Sequence, residues 1–250
     1  MSKKAIGIDI GGTGIKGAVV HKKKGELVSD RLRVATPEGG EPEDIAASVV
    51  ELVSRLEQPA DRPVGICFPA VVKHGHTQSA ANVSDRWVGL DADKLFTEAL
   101  GRHTHVINDA DAAGAAEVKF GAGKKQSGLV IMTTLGTGIG SALFYNGVLI
   151  PNSELGHIDI GGVEDFESYA AYSALERENL SFDSWAERLQ IYYSSLEKLL
   201  TPDLFIVGGG ISKQHTEFLP LLNLKTPIVP AELRNSAGII GAAALAYVSE

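Results

Sequence analysis

Two short glycine-rich segments offer backbone geometry that can bind phosphate groups. Residues 11–14 read GGTG and residues 136–138 read GTG, each between strand-like sequences. Backbone N–H groups reach a phosphate best where no Cβ blocks its approach, and threonine hydroxyls add donors. Neither segment matches a P-loop or a dinucleotide fingerprint, since both of those join a strand to a helix. We therefore predict that the two turns clamp a phosphate chain. The predicted phosphate-binding residues are Gly11, Gly12, Thr13, Gly14, Lys16, Thr134, Gly136, Thr137 and Gly138.

Asp9 lies directly before the first of these turns, at the end of an apolar segment. A carboxylate next to phosphates is repelled unless a cation lies between them. Mg²⁺ keeps several of its waters and binds through one or two carboxylates together with substrate phosphates. We therefore expect Asp9 to position Mg²⁺, through a water molecule.

The elements that must position these turns alternate between strands and helices. The letters GTGI at residues 12–15 recur at residues 136–139, each time between two apolar strands, which suggests two lobes built alike. This alternation predicts an α/β protein with mixed sheets covered by helices. Strands are predicted at 6–10, 15–20 and 27–35, helices at 166–178 and 182–200, an N-terminal lobe over 1–108, a C-terminal lobe over 109–235, and a closing helix over 236–250 that packs back on the N-terminal lobe.

Composition excludes several classes of function. A formal net charge of -8 argues against general nucleic-acid or anionic-membrane binding. No window approaches 18 consecutive apolar residues, and the N-terminus runs straight into a strand-like segment, so we expect neither a membrane span nor a signal peptide. The single cysteine, Cys67, lies in an apolar run and is expected to be a buried, inert thiol. We expect a reducing, cytoplasmic setting.

Five motifs along the chain resemble those of the ROK family of sugar kinases. They are DIGGTGIKGA, INDADAAGAAE, TTLGTGIGSALF, ELGH and VGGGIS, and they occur in the family's order over nearly the whole chain. The resemblance implies a two-lobed fold of the actin/hexokinase-like (ribonuclease H-like) ATPase type. Residues 65–92 and the short length most resemble the polyphosphate-using branch of glucokinases within that family.

The catalytic general base and the sugar-binding residues are predicted from these motifs. Asn108 and Asp109 stand where a strand ends and a helix begins, and Asp109 falls at the position of the family's catalytic aspartate. A kinase needs a carboxylate to take the hydroxyl proton, so we assign Asp109 as general base, with helix capping as the alternative. The resemblance implies sugar contacts, and the full predicted set is Asn82, Asn108, Asp109, Glu154, His157 and Glu167.

The binding site of the phosphoryl donor is predicted in two parts, one for ATP and one for polyphosphate. The loop with Gly208, Gly209 and Gly210 resembles the family's adenosine loop, so ATP is expected to bind, although a glycine turn there could equally be structural. A polyphosphate chain also needs a basic track beyond the glycine turns. The candidates for this track are Lys73, His74, His76 and Arg86.

One departure from the wider family concerns zinc. Most family members carry a cysteine cluster between the segments that here read GH and FESYA, and this chain has none there. A zinc site is therefore not expected. The polyphosphate-using branch also lacks the cluster, which supports that placement and leaves open how the loop is held.

We expect a phosphotransferase that makes glucose 6-phosphate from glucose, with polyphosphate and ATP as donors and mannose as a further substrate. An ATP-only glucokinase, or another ROK hexose kinase acting on mannose or an N-acetyl-hexosamine, is the alternative. ROK repressors carry an N-terminal helix-turn-helix, and because the first glycine turn is reached by Gly11 we do not expect a repressor. An actin-like filament protein would not need the sugar residues. We expect a homodimer, although a core-facing helix explains the apolar pattern over 189–200 equally well.

Overall fold

The computed structural model describes residues 3–80 and 83–246, and the chain divides into two compact units. The first comprises Met1–Ala116 together with Ser236–Glu250, and the second comprises Glu117–Asn235. The division comes later than the boundary predicted at residue 108, because the helix that begins at Asp109 starts in the first unit.

The first unit is built on a mixed sheet with the order β3-β2-β1-β5-β8, and β4 pairs with β2. The pairs β1–β2, β2–β3 and β2–β4 are antiparallel, whereas β1–β5 and β5–β8 are parallel. A small hairpin, β6–β7, lies outside this sheet. The strands are β1 (Lys4–Gly11), β2 (Gly14–His21), β3 (Glu26–Leu27), β4 (Leu32–Val34), β5 (Val64–Phe68), β6 (Val72–Lys73), β7 (His76–Thr77) and β8 (Thr104–Asn108).

The helices of this unit begin and end where local chemistry predicts. The first has Pro42 at its N-terminus and acidic residues in its first turn, which suits the helix dipole. The second is capped by the Asp91 side chain and ends at Gly101 in the left-handed region. They are α1 (Pro42–Arg55), α2 (Ala92–Leu100), α3 (Asp109–Phe120) and, after the second unit, α7 (Ala237–Leu245).

The closing helix α7 packs directly on β1 and β5. A Cβ at Gly7 would lie 1.9 Å from the Ile239 carbonyl oxygen, and one at Gly65 would lie 1.9 Å from that of Ala242. Only glycine permits this approach of helix and sheet backbones. Gly7 therefore serves packing rather than phosphate, although it belongs to the same glycine-rich segment as the first turn.

The second unit has a sheet of order β11-β10-β9-β12-β13, with β9–β10 and β10–β11 antiparallel and the others parallel. Its core is rich in aromatic side chains, among them the buried Trp185, Tyr193 and Phe205. The elements are β9 (Leu129–Leu135), β10 (Ile139–Tyr145), β11 (Val148–Ile150), α4 (Glu167–Ala170), α5 (Tyr172–Glu178), α6 (Phe182–Leu200), β12 (Leu204–Gly208) and β13 (Ile228–Pro230).

Two predicted elements are interrupted in the structure. The strand predicted over 27–35 is split into β3 and β4, because the Ser29 hydroxyl, not a backbone carbonyl, accepts the N–H of Val19. The helix predicted over 166–178 is split at Ala171, whose backbone is extended. In the described part of the chain, no helix combines the length and the apolar character needed to cross a membrane.

Candidate active site

The first glycine turn closes the β1–β2 hairpin, with Gly11 opposite Gly14 in the register. Its carbonyl oxygens are held from outside: Arg33 Nη2 donates to the Thr13 carbonyl (2.8 Å), and Thr36 Oγ1 donates to that of Gly11 (2.5 Å). These bonds fix the turn through its acceptors and do not compete with N–H donation to an anion. Arg33 and Thr36 were missed in the sequence because they act through long-range contacts.

Asp9 lies on β1 with Lys16 opposite it on β2 and Cys67 beside it on β5. Lys16 Nζ is 3.4 Å from Asp9 Oδ2, and the Cys67 thiol donates to Oδ1 (3.5 Å). Burial, and then the charges of Asp9 and Asp109, raise the pKa of Cys67, so its thiol stays a neutral donor. The carboxylate of Asp9 is partly exposed, which suits a hydrated Mg²⁺ that binds through water and substrate phosphates.

Asn108 and Asp109 stand at the junction of β8 and α3, as the sequence predicts. The Asn108 side chain caps the helix, since its Oδ1 accepts the N–H of Asp111 (3.0 Å) and its Nδ2 donates to the Ala70 carbonyl (3.1 Å). The capping role considered for Asp109 therefore belongs to Asn108. Asp109 is exposed, and its Oδ1 accepts the N–H of Ala110 (2.8 Å).

The second glycine turn joins β9 to β10 and is held by two side chains from the following helices. Glu167 Oε2 accepts the N–H of Ile139 (2.7 Å). Ser173 donates its hydroxyl to the Thr137 carbonyl (2.6 Å) and its N–H to the Gly136 carbonyl (3.0 Å). This explains the break at residue 171, because α5 must start again to present Ser173 to the turn. The sequence gives no local signal for Ser173.

Three predicted sugar residues come together around one histidine ring in the second unit. His157 Nε2 is 3.7 Å from Glu154 Oε2, and His157 Nδ1 is 3.9 Å from Glu167 Oε1. A fourth group, Asp165, was missed in the sequence, and its Oδ1 lies 2.6 Å from His157 Nδ1. Clustered carboxylate and imidazole groups suit a polyol, whose hydroxyls both donate and accept.

Two pKa values in this cluster are shifted upward, for different physical reasons. The hydrogen bond with Asp165 raises the pKa of His157, and the nearby carboxylates of Glu167 and Glu154 add to the shift. Burial raises the pKa of Glu154, with Glu167 contributing and His157 opposing. The set of His157, Asp165 and Glu167 does not match a structural zinc site, which takes four ligands and usually thiolates.

The predicted adenosine loop follows β12 and borders a cavity of about 350 Å³ in the second unit. Gly209 has φ 86°, and a Cβ there would lie 2.2 Å from the Leu135 carbonyl oxygen, so this position needs glycine. The cavity is bounded by the glycine turn on one side and by Tyr172 of α5 on another. Its lining residues are Leu135, Gly136, Thr137, Tyr172, Ser173, Glu176, Gly210, Ile211 and Gln214.

The basic track candidates differ in how their charges are used. Lys73 and His76 are paired across the β6–β7 hairpin, and His74 lies in its turn with φ 52°. Arg86 instead donates to Glu41 (2.9 Å) and to Glu43 (2.6 and 2.9 Å). Because these two carboxylates compensate its charge, we expect Arg86 to contribute less to the predicted track than Lys73. The predicted sugar contact Asn82 lies outside the described residues.

Comparison with known proteins places this chain among sugar kinases. The polyphosphate glucokinase of Mycobacterium tuberculosis is 44% identical over 242 residues, covering 96% of this chain and 90% of that protein. The inorganic polyphosphate/ATP-glucomannokinase of Arthrobacter sp. strain KM has a similar structure, with TM-score 0.91 and 52% identity over 96% of this chain and 97% of that one. A ROK family glucokinase from Streptomyces griseus, in complex with glucose and AMPPNP, is also similar in structure. Its TM-score is 0.82 and its sequence identity is 27%, and the match covers 97% of this chain and 99% of that one.

These neighbours and the two mixed sheets define an α/β protein of the actin/hexokinase-like class, which confirms the predicted fold. Residues 5–170 match the ROK family. The chain belongs to the ROK family, as its five motifs predict.

Proposed function

We propose that this protein transfers the terminal phosphoryl group of inorganic polyphosphate, or of ATP, to the 6-hydroxyl of glucose. The observation that carries the proposal is the bond from Ile139 N–H to Glu167, which ties a phosphate-type glycine turn to the Glu154–His157 cluster within one unit. Donor and acceptor chemistry thus share one scaffold. The relatives named above, a polyphosphate glucokinase and a polyphosphate/ATP-glucomannokinase, support the choice of substrates.

Asp109 acts as the general base in this proposal. It accepts the proton of the attacking sugar hydroxyl and directs the oxygen toward the phosphorus. A carboxylate at a helix N-terminus is stabilised in its charged form, and α3 begins at Asp109. Because phosphoryl transfer proceeds through a loose transition state, positioning and charge stabilisation supply most of the rate. Asn108, by capping α3, holds the base in place.

The sugar is oriented by Glu154, His157 and Glu167. Two carboxylates accept from sugar hydroxyls, while the imidazole donates or accepts according to its protonation state. Asn82 and Asn108 remain further predicted contacts. Mannose is a second proposed substrate, supported by the glucomannokinase relative. Asp9 would hold Mg²⁺ through water, and the bound ion would neutralise charge on the transferred phosphoryl group.

The two donors use overlapping parts of the site. Both donors use the glycine turn at residues 136–138, and ATP adds its nucleoside to the cavity beside Gly210 and Tyr172 in the same unit. The turn at residues 11–14 is a further candidate for phosphate binding in the first unit. Polyphosphate continues along Lys73, His74 and His76. An ATP-only glucokinase would keep the cavity and have no use for this basic hairpin.

We further propose a cytoplasmic homodimer. The outer face of α6 supports the dimer, because Ile191 and Leu199 are 45% and 63% exposed there. The single buried thiol, Cys67, suits a reducing compartment. Light scattering on the purified protein would report the mass of the particle, and a monomer would contradict the dimer.

The experiment that tests the proposed function measures glucose 6-phosphate formed by purified protein with Mg²⁺. Long-chain polyphosphate and ATP are supplied separately, each free of the other. We expect product with both donors. Product with ATP alone would remove the polyphosphate assignment, and product with neither donor would contradict glucose as the acceptor. Mannose is assayed in parallel.

A further inference from the structure

The side chain of Asp165 is placed against the histidine of the proposed sugar site. Its Oδ1 is 2.6 Å from His157 Nδ1, shorter than either contact of that ring with Glu154 (3.7 Å) or Glu167 (3.9 Å). This distance is slightly shorter than that of an ordinary charge-assisted N–H···O hydrogen bond. Asp165 is therefore the dominant partner of the ring.

The chain between His157 and Asp165 is folded into a small closed loop. Ile160 and Val163 exchange two backbone hydrogen bonds of 3.0 Å, and Phe166 donates its N–H to the Ile158 carbonyl (3.1 Å). Since Phe166 is buried in the core of the second unit, the end of this loop is anchored.

A second carboxylate supports Asp165 within that loop. Asp159 Oδ1 accepts the N–H of Asp165 (2.9 Å), while the Asp165 backbone lies in the left-handed region with φ 49°. This conformation is sparsely populated and is better tolerated by Asp and Asn than by most residues. The loop thus directs the Asp165 side chain at His157, although that side chain remains solvent-accessible.

We propose that Asp165 is a positioning residue for sugar binding, which keeps the proton on His157 Nδ1 and leaves Nε2 to contact a sugar hydroxyl. The two nitrogens of an imidazole differ, and the partner of one determines the tautomer and the direction of the other. This inference rests on the proposed function, because it assigns a task to the same sugar site. It also explains how the loop without cysteines is held.

The electrostatics of the ring agree with this role. Three carboxylates face it, those of Asp165, Glu167 and Glu154, and all three favour the protonated ring. Asp165 contributes most through its hydrogen bond. Removing its charge should therefore change both the tautomer and the acidity of His157, which a residue that merely supported the loop would not do.

Steady-state kinetics of Asp165→Asn test the proposal. Asparagine keeps the shape of the side chain and tolerates the backbone conformation, so the variant should fold. We expect the KM for glucose to rise roughly tenfold, equal to about 1.4 kcal/mol, with kcat and the KM of the donor little changed. Glu164→Gln is the matched control, since it removes an equal charge from the neighbouring exposed residue. Equal glucose KM values in the two variants would overturn the proposal.

The ¹⁵N NMR signals of His157 give a readout that does not depend on activity. In the wild type, the neutral ring should carry its proton on Nδ1, and in Asp165→Asn its pKa should fall. A wild-type ring with its proton on Nε2 would overturn the proposal, whatever the variants do. If the protein made no sugar phosphate while His157 behaved as expected, the proposed function would fail and the contact with Asp165 would stand.

Discussion

Glu167 Oε2 accepts the backbone N–H of Ile139 at 2.7 Å, in the space that a side chain at residue 138 would occupy. A Cβ on Gly138 would lie 2.4 Å from that oxygen. We therefore expect Gly138→Ala to displace the carboxylate and to lower the free energy of unfolding by about 1.5–3 kcal/mol, the usual contribution of a hydrogen bond to a charged group. Denaturant unfolding would measure the change.

A double-mutant cycle identifies the cause of that loss. In the background of Glu167→Ala the obstacle is gone, so Gly138→Ala should then cost much less. Gly136→Ala is a stability control in the same turn, because a Cβ there meets nothing within 4 Å. Additive effects of the changes at 138 and 167 would contradict the steric explanation.

The role of Asp109 predicts a kinetic effect without a loss of sugar binding. Asp109→Asn keeps the size of the side chain and removes its ability to accept a proton, so kcat should fall by a factor of about 10²–10⁴. Glucose affinity, measured by calorimetry, should stay within about threefold, because the amide still accepts hydrogen bonds. Asp61→Asn, at an exposed residue of the same unit, serves as control. A variant at residue 109 with wild-type turnover would refute the assignment.

The fold was predictable because its signals are local. The two strand–turn–strand segments have apolar strands around glycines, and α1 carries its Pro42 and acidic first turn in sequence. Where the prediction was wrong, a distant contact prevailed. The strand β3 ends because the Ser29 hydroxyl accepts the N–H of Val19. The helix α5 begins again after Ala171, which allows Ser173 to contact the second glycine turn.

The candidate site was predictable only where a motif carries it. Glu154, His157 and Glu167 were selected by family resemblance, and the structure brings them together. Asp165 lies in a stretch with no recognised motif and was missed, because its importance arises from a loop that turns it back on His157. Arg86 was selected for its charge alone, and its carboxylate partners could not be foreseen.

The basic hairpin predicts selective effects on the two donors. Lys73→Ala should raise the KM for polyphosphate several-fold and leave the KM for ATP unchanged, and the polyphosphate reaction should weaken as salt is added. Arg86→Ala is the control for Lys73→Ala, since the charge of Arg86 is already paired with Glu41 and Glu43. It should leave both donors nearly unaffected. An equal effect of both variants on polyphosphate would show that no specific track exists.

The raised pKa of His157 predicts a pH-dependent contribution to stability, with the bond to Asp165 as its main cause. Folding favours the protonated ring, so this stabilisation is complete below the unfolded histidine pKa of about 6.5, provided that the carboxylates are ionised. It disappears as pH rises through the folded-state pKa. The Tm difference between wild type and His157→Gln should thus be larger at about pH 5.5 than at about pH 9. Because the ring is 55% exposed, the difference will be modest. Equal differences at the two pH values would contradict the linkage.

The buried carboxylate of Glu117 predicts a large stability effect outside the site. Its Oε2 accepts the N–H groups of Ala122 (2.9 Å) and Glu232 (3.1 Å), and its Oε1 accepts that of Leu233 (2.7 Å). Glu117→Gln would turn an amide NH₂ toward backbone donors and leave at least one of them unsatisfied. Since each buried donor without a partner costs about 1–3 kcal/mol, we expect a loss of about 3 kcal/mol in the free energy of unfolding. Glu187→Gln, at an exposed position of α6, should change it by less than about 0.5 kcal/mol. Similar urea midpoints for the two variants would mean that water or a backbone shift satisfies these donors.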